Sequence, residues 1–350
     1  MNLFLPICIA VFNILLVFYP IEILSAARNA VALWFNNVLP TLLPFLIGAN
    51  ILMGLGFVNF LGTILEPVMY PLFGVPGIGG FALACGMASG YPLGAKITSE
   101  LRENKMISKI EAQRLISFVN NCGPLFIIGT VGASMFNNPI VGYFLLICHY
   151  LASITTGLIF KHYKKESPAP HTREKNLFRL AYGNMVKAKG VNNIPAIVSD
   201  SVKKSMEAIL IIGGYIILFS IIIEMLDIIN IVMYIAGALP KFFSLDKDIF
   251  KGIIYGLFEI TNGAKALSEG GHILPALFVI SFGGFSIHMQ SINFISKTDI
   301  NIFVYILSKF IGAIISVLFG ILLYPFINFI NIETAMVFNR FGGGFFSRLL

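Results

Sequence analysis

The apolar positions of this chain fall into long runs of about 18–25 residues separated by short polar breaks, the length a helix needs to cross about 30 Å of hydrocarbon. The runs do not alternate in polarity, as barrel strands would. They lie near 3–24, 30–58, 78–101, 110–135 and 139–160 and, beyond a polar stretch at 161–204, near 205–226, 229–244, 249–269, 273–296 and 301–330. A Gly/Pro-rich stretch, 67–80, separates the second run from the third. Four runs are interrupted by helix-breaking or polar residues. These are Gly86, Ser89, Gly90, Tyr91, Pro92 and Gly94 in the third and Asn120, Asn121, Cys122, Gly123 and Pro124 in the fourth. The 249–269 run is broken at Asn262 and Gly263, and the 273–296 run at Gly283, Gly284 and Ser286. The pattern predicts an all-α polytopic membrane protein.

An internal duplication is visible in the same pattern. Gly94-Ala95-Lys96 is followed by Glu100, and Gly263-Ala264-Lys265 by Glu269; Ser117-Phe118 and Ser281-Phe282 each precede the next polar break. Each half reads as an interrupted segment, a second interrupted segment and a clean span. If the Gly-Ala-Lys segments are re-entrant hairpins, the two halves enter the membrane with opposite sense, a recurring transporter design. The expected architecture is thus two inverted repeats, each with a re-entrant helical hairpin, a broken transmembrane helix and a continuous one. The expected organisation is an N-terminal transmembrane helix at 1–29, a first repeat at 30–160, a basic linker at 161–204, a second repeat at 205–330 and a tail at 331–350. The apolar N-terminus lacks the positive leader of a secretory signal, so the first helix is expected to be retained.

Composition strengthens the membrane reading. Hydrophobic residues make up 57% of the 350 residues and charged ones 12%, against roughly 25% charged in a soluble domain. The mean hydropathy is +0.86. The net charge of +7 is concentrated in two places. One holds Arg102, Lys105, Lys109 and Arg114; the other holds Lys161, Lys164, Lys165, Arg173, Lys175, Arg179, Lys187 and Lys189. This is the charge asymmetry of cytoplasmic loops, not a nucleic-acid-binding surface. Cys8, Cys85, Cys122 and Cys148 sit in apolar runs with no CxxC spacing, so neither a disulfide nor a metal site is expected. No hydrolase elbow, phosphate loop or dinucleotide fingerprint occurs, so no enzyme activity and no cofactor is expected.

Polar groups and broken backbone at membrane depth are costly unless they line a cavity. The candidate substrate-binding residues are therefore those at the breaks: Ser89, Tyr91, Lys96, Asn120, Asn121, Asn262, Lys265, Ser286, His288 and Gln290. Broken helices expose N-termini that attract anions, and Lys96 and Lys265 would add two positive charges suited to a small dianion. The lysines can equally snorkel to the interface or pair with Glu100 and Glu269 one turn on. Asn120 and Asn121 can hydrogen-bond a ligand or the backbone groups that Pro124 frees. Glu259, inside an apolar run, is the candidate for binding a proton or coupling cation. His288 can titrate near neutral pH or serve packing.

The stretches 89–96 (SGYPLGAK), 111–115 (EAQRL), 118–127 (FVNNCGPLFI) and 281–290 (SFGGFSIHMQ) resemble the YlbJ-type sporulation integral membrane proteins, within the wider group that carries nucleoside-recognition, or Gate, domains. The resemblance runs from about residue 30 to 330. It implies a role in endospore formation. It also implies transport of dipicolinic acid from the mother cell across the outer forespore membrane, as associated with the stage V sporulation transporter. The protein would then reside in the cell membrane or outer forespore membrane of a spore-forming bacterium. The partners expected are a small organic anion and the lipid bilayer, with homo-oligomerisation left open. The same fold would also suit a nucleoside or other metabolite transporter. A scaffold in spore-envelope assembly is the remaining alternative, and it would need no intramembrane polar cluster.

Overall fold

A computed structural model describes residues 3–164, 177–188, 194–238 and 247–340, and among these every regular element is helical. Helix α1 (Phe4–Phe18) meets α2 (Pro20–Leu33) at a bend of 103°. The expected single N-terminal span is thus a bent pair. Pro20 is the reason: its ring disfavours helical backbone at the residue before it, and Tyr19 sits at φ −123°, ψ 56°. A π-turn at Trp34–Val38 leads into α3 (Leu39–Gly54), and α4 (Phe57–Phe73) follows after an 86° bend. The Gly/Pro-rich stretch therefore contributes its first residues to a helix: α4 runs through Pro67 and Pro71 and stops at Gly74.

The first half continues with α5 (Gly79–Ser89), α6 (Leu93–Glu103), α7 (Lys109–Val119), a π-helix (Leu125–Met135) and the unbroken α8 (Pro139–Phe160). After α9 (Leu177–Ala188), which packs on α4, comes the 35-residue α10 (Ile194–Ile228), then α11 (Ile231–Ala238). Helix α10 begins ten residues before the expected end of the linker, since the apolar run and the polar segment ahead of it wind as one helix. Pro240, in the expected run at 229–244, lies outside the described residues. The second half has α12 (Lys247–Phe258), α13 (Ile260–Glu269), α14 (Ile273–Phe282), α15 (Gly284–Ile295) and the closing α16 (Ile302–Arg340). The order of bent pair, broken helix and long helix therefore recurs. The packing recurs with it: α6 lies against α15 as α13 lies against the π-helix, and α8 against α14 as α16 against α7.

Among the described residues four stretches are long and apolar enough to cross a bilayer, Pro139–Phe160, Ile194–Ile228, Ile273–Ile295 and Ile302–Pro325, and the two bent N-terminal pairs raise the number to six if each forms one span. The molecule is a multi-pass integral membrane protein.

Side-chain clamps show which connections share an end. Arg114 on α7 donates to the carbonyls of Gly74 at 2.8 Å and Tyr163 at 3.1 Å. Arg102 makes a two-pronged ion pair with Asp299 at 2.8 and 2.9 Å, and Gln113 exchanges hydrogen bonds with the backbone of Asn301. The segments at 74–78, 104–108, 161–164 and 296–301 therefore lie together. Chain entering at 74–78 and leaving at 104–108 makes α5–α6 a re-entrant hairpin, bent at Gly90–Pro92. The candidate span Ile273–Ile295 separates 270–272, where α13 ends, from the 296–301 end. This arrangement is compatible with inverted repeats.

Candidate functional site

Each of the four breaks has a local cause. Gly90 (φ +97°) and Gly283 (φ +96°) end α5 and α14 in backbone regions that side chains disfavour. Pro124 cannot donate an N–H, and Asn120 leaves α7 at φ −90°, ψ 91°. At the third break Glu259 is extended (φ −145°), and its carboxylate caps α13, accepting from the N–H groups of Thr261 and Asn262, both at 2.9 Å. The sequence pattern points to Asn262–Gly263 for this break; the backbone turns three residues earlier because the glutamate satisfies the freed donors there.

Three breaks converge on one cavity of about 340 Å³, within the range of small-molecule sites. Its wall includes Ser89, Gly90 and Tyr91 from the first break, Cys122 and Gly123 from the second, and Glu259 and Thr261 from the third. Gln290 comes from α15, and Asn36 and Thr130 add further polar groups. Buried Ser89 Oγ makes no hydrogen bond. The helix starts around this space differ in how they are satisfied. Asn120 Oδ1 accepts from Ala95 N in the first turn of α6 (3.3 Å), and Glu259 caps α13, whereas the π-helix beginning beside Gly123 carries no side-chain cap.

Behind the wall lies a buried polar network. Asn120 Nδ2 donates to Ser291 Oγ (2.9 Å) and Tyr305 OH (3.0 Å), and the Asn120 carbonyl accepts from Lys309 Nζ. His288 Nδ1 lies 3.4 Å from Tyr305 OH, and its Nε2 has no partner. His149 Nε2 accepts the Cys122 N–H (3.0 Å), and its Nδ1 lies 2.9 Å from Ser281 Oγ. A ring nitrogen that accepts carries a lone pair, so the neutral Nδ1–H tautomer is assigned and donates to Ser281.

The expected site residues thus separate into groups. Ser89, Tyr91, Glu259 and Gln290 line the cavity. Asn120, Ser286 and His288 are buried in the layer behind it, and Asn121 donates to the Phe118 carbonyl at 2.8 Å. Asn262 and Lys265 line a second, outer cavity of about 590 Å³ with Asp248, Glu224 and Asp227. The two cavities share Leu33 and Thr261 in their walls. The two lysines are not brought together. Lys96 is buried, donates to Asn50 Oδ1 (2.9 Å) and pairs with Glu100 (3.4 Å), while Lys265 is exposed. Sequence reasoning missed Asn50, His149, Tyr305 and Lys309, all buried. Lys309 and His149 carried a usable signal, as ionisable residues inside otherwise clean apolar spans.

The fold and site are those of a multi-pass membrane protein with broken helices around a cavity, and residues 35–137, covering both breaks of the first half, match the Gate (nucleoside recognition) domain. The chain is 35% identical over 325 residues to the sporulation integral membrane protein YlbJ of Bacillus subtilis (strain 168), covering 87% of this chain and 78% of that one. It belongs to the YlbJ family of sporulation integral membrane proteins. No solved structure matches it.

Proposed function

We propose that the protein carries a small organic metabolite across the membrane, bound in the central cavity between its halves. The observation that carries this reading is the meeting of three helix breaks at one cavity whose wall holds the unpartnered hydroxyl of Ser89. A small organic anion is the favoured substrate class. The uncapped start of the π-helix beside Gly123 supports it, because a helix N-terminus carries positive partial charge. The resemblance noted in the sequence implies dipicolinate, moved from the mother cell across the outer forespore membrane, as that anion. Glu259, a buried carboxylate on the cavity wall, is the proposed coupling-ion site.

A nucleoside or another neutral metabolite is the second reading. It is favoured by the described cavity wall, which holds no lysine but offers the neutral groups of Asn36, Thr130 and Gln290. A scaffold role calls for polar residues dispersed over lipid-facing surfaces; the burial of Asn120, His149, Ser291 and Lys309 speaks for transport instead. The test is uptake of labelled dipicolinate and labelled uridine by proteoliposomes, with and without a pH or sodium gradient. Dipicolinate uptake is expected, and lack of uptake of both under every condition would refute transport.

A further inference from the structure

Lys309 lies in α16, within the candidate span Ile302–Pro325, and the residue is 5% exposed. Among the described residues Lys309 has no carboxylate partner, unlike Lys96, which pairs with Glu100, and Arg102, which pairs with Asp299. Lys96, equally buried, shows the usual solution: its ammonium is neutralised one turn away by Glu100. The groups facing Lys309 are of another kind. From the first break comes the Tyr91 ring, with its centroid 5.9 Å from Nζ. The second break supplies the Asn120 carbonyl, and α8 supplies His149, already satisfied at both ring nitrogens. The α14 and α15 contributions are Ser281 and His288, and α16 itself adds Tyr305 and Ser308. None is anionic at neutral pH.

This environment can hold the lysine in either protonation state. A carbonyl accepts from an ammonium and from a neutral amine alike, and the ring face adds attraction for the charged form. Beside Nζ is a small cavity of about 10 Å³ lined by Ser117, Asn121, His149, Ser153 and Ser281. That is about the room of one water, with the polar partners a buried water needs. Tyr91 faces Lys309 on one side and the central cavity on the other. A proton on Nζ therefore sits one side chain behind the proposed substrate.

We propose that Lys309 is a proton-binding site, and that its loading and unloading couple a proton to substrate movement. The inference rests on the transport reading. In it Nζ takes up a proton as –NH₃⁺ when substrate occupies the cavity and releases it to the opposite side as –NH₂, with no other bond made or broken.

The test uses the full-length protein in proteoliposomes with labelled dipicolinate, and labelled uridine in parallel. Counterflow exchange without a gradient reads binding and movement; accumulation driven by an imposed pH gradient reads coupling. The wild type is expected to show both. Lys309→Met and Lys309→Arg, one never and one always charged, should keep counterflow to within about threefold and lose the gradient-driven accumulation. Glu259→Gln and His288→Gln are the comparison variants. Counterflow that is indifferent to a pH gradient in the wild type, or coupling that survives in both Lys309 variants, overturns the inference and leaves transport standing. Coupling lost in Glu259→Gln or His288→Gln while Lys309→Met retains it also overturns it. Absence of counterflow for both probes refutes the transport reading, and the coupling proposal falls with it. Should Lys309→Met fail to fold, Lys309→Arg and Lys309→Gln decide the same question.

Discussion

The two Gly-Ala-Lys copies have the same sequence and different fates. In both, the glycine faces backbone: a Cβ at Gly94 would meet the Val119 carbonyl and lie 2.9 Å from Asn120 Cα, and one at Gly263 would strike Gly256 Cα and lie 2.9 Å from the Gly252 carbonyl. In both, the alanine is fully buried. The lysines diverge. Lys96 turns inward to Asn50 and Glu100, while Lys265 is exposed in the outer cavity. What the repeat preserves is close helix–helix approach at a re-entrant hairpin. Charge at the third position answers to local surroundings, so a matched pair of lysines does not by itself mark a dianion site.

The glycines offer the strongest way to break this comparison. Gly94→Val and Gly263→Val should each destabilise the detergent-solubilised protein by about 3 kcal/mol or more, because backbone cannot move aside as a side chain can. Thermal denaturation measures both; a silent Gly263→Val would show that the second hairpin is not held by the same close packing. Next come the side chains that satisfy the broken ends. Asn120→Ala strands Ala95 N and removes the amide's bonds to Ser291 and Tyr305, and should cost about 2–3 kcal/mol, more than the about 1 kcal/mol expected for loss of the Glu259 cap in Glu259→Ala. The lysines themselves follow. Lys96→Met should cost about 1–2 kcal/mol, less than a fully buried pair because Glu100 is 27% exposed. Lys265→Met should stay within about 0.5 kcal/mol. Equal losses would erase the distinction drawn between the copies.

The smallest effect concerns the join between the halves outside the spans. The Arg102 guanidinium, hydrogen-bonded to Asp299, holds that carboxyl below its ordinary range. A carboxyl depressed on folding adds stability above its unfolded value of about 3.9 and loses that contribution as pH falls through the folded value. The melting temperature of the wild type should therefore drop more steeply than that of Asp299→Asn as pH falls below about 4. Parallel curves would show that the pair adds nothing. The effect should be small and weaken with salt, since both side chains are partly exposed to solvent.

Much of this protein was legible in its sequence. The membrane class followed from run length, because a bilayer sets a minimum span. All four breaks lay within a few residues of their expected positions, because glycine, proline and asparagine act on the backbone locally. So did the recurrence of element order in the two halves. The sharp bend at Tyr19–Pro20, though its cause is the local proline, and the helical winding through Pro67 and Pro71 were not foreseen. Only the tertiary structure decided which polar residues meet. It set Cys122 N–H against His149, Asn120 against Lys309 across 189 positions, and Lys96 inward but Lys265 outward. Composition says that a buried polar group needs a partner. Which partner it finds depends on how helices far apart in the chain cross.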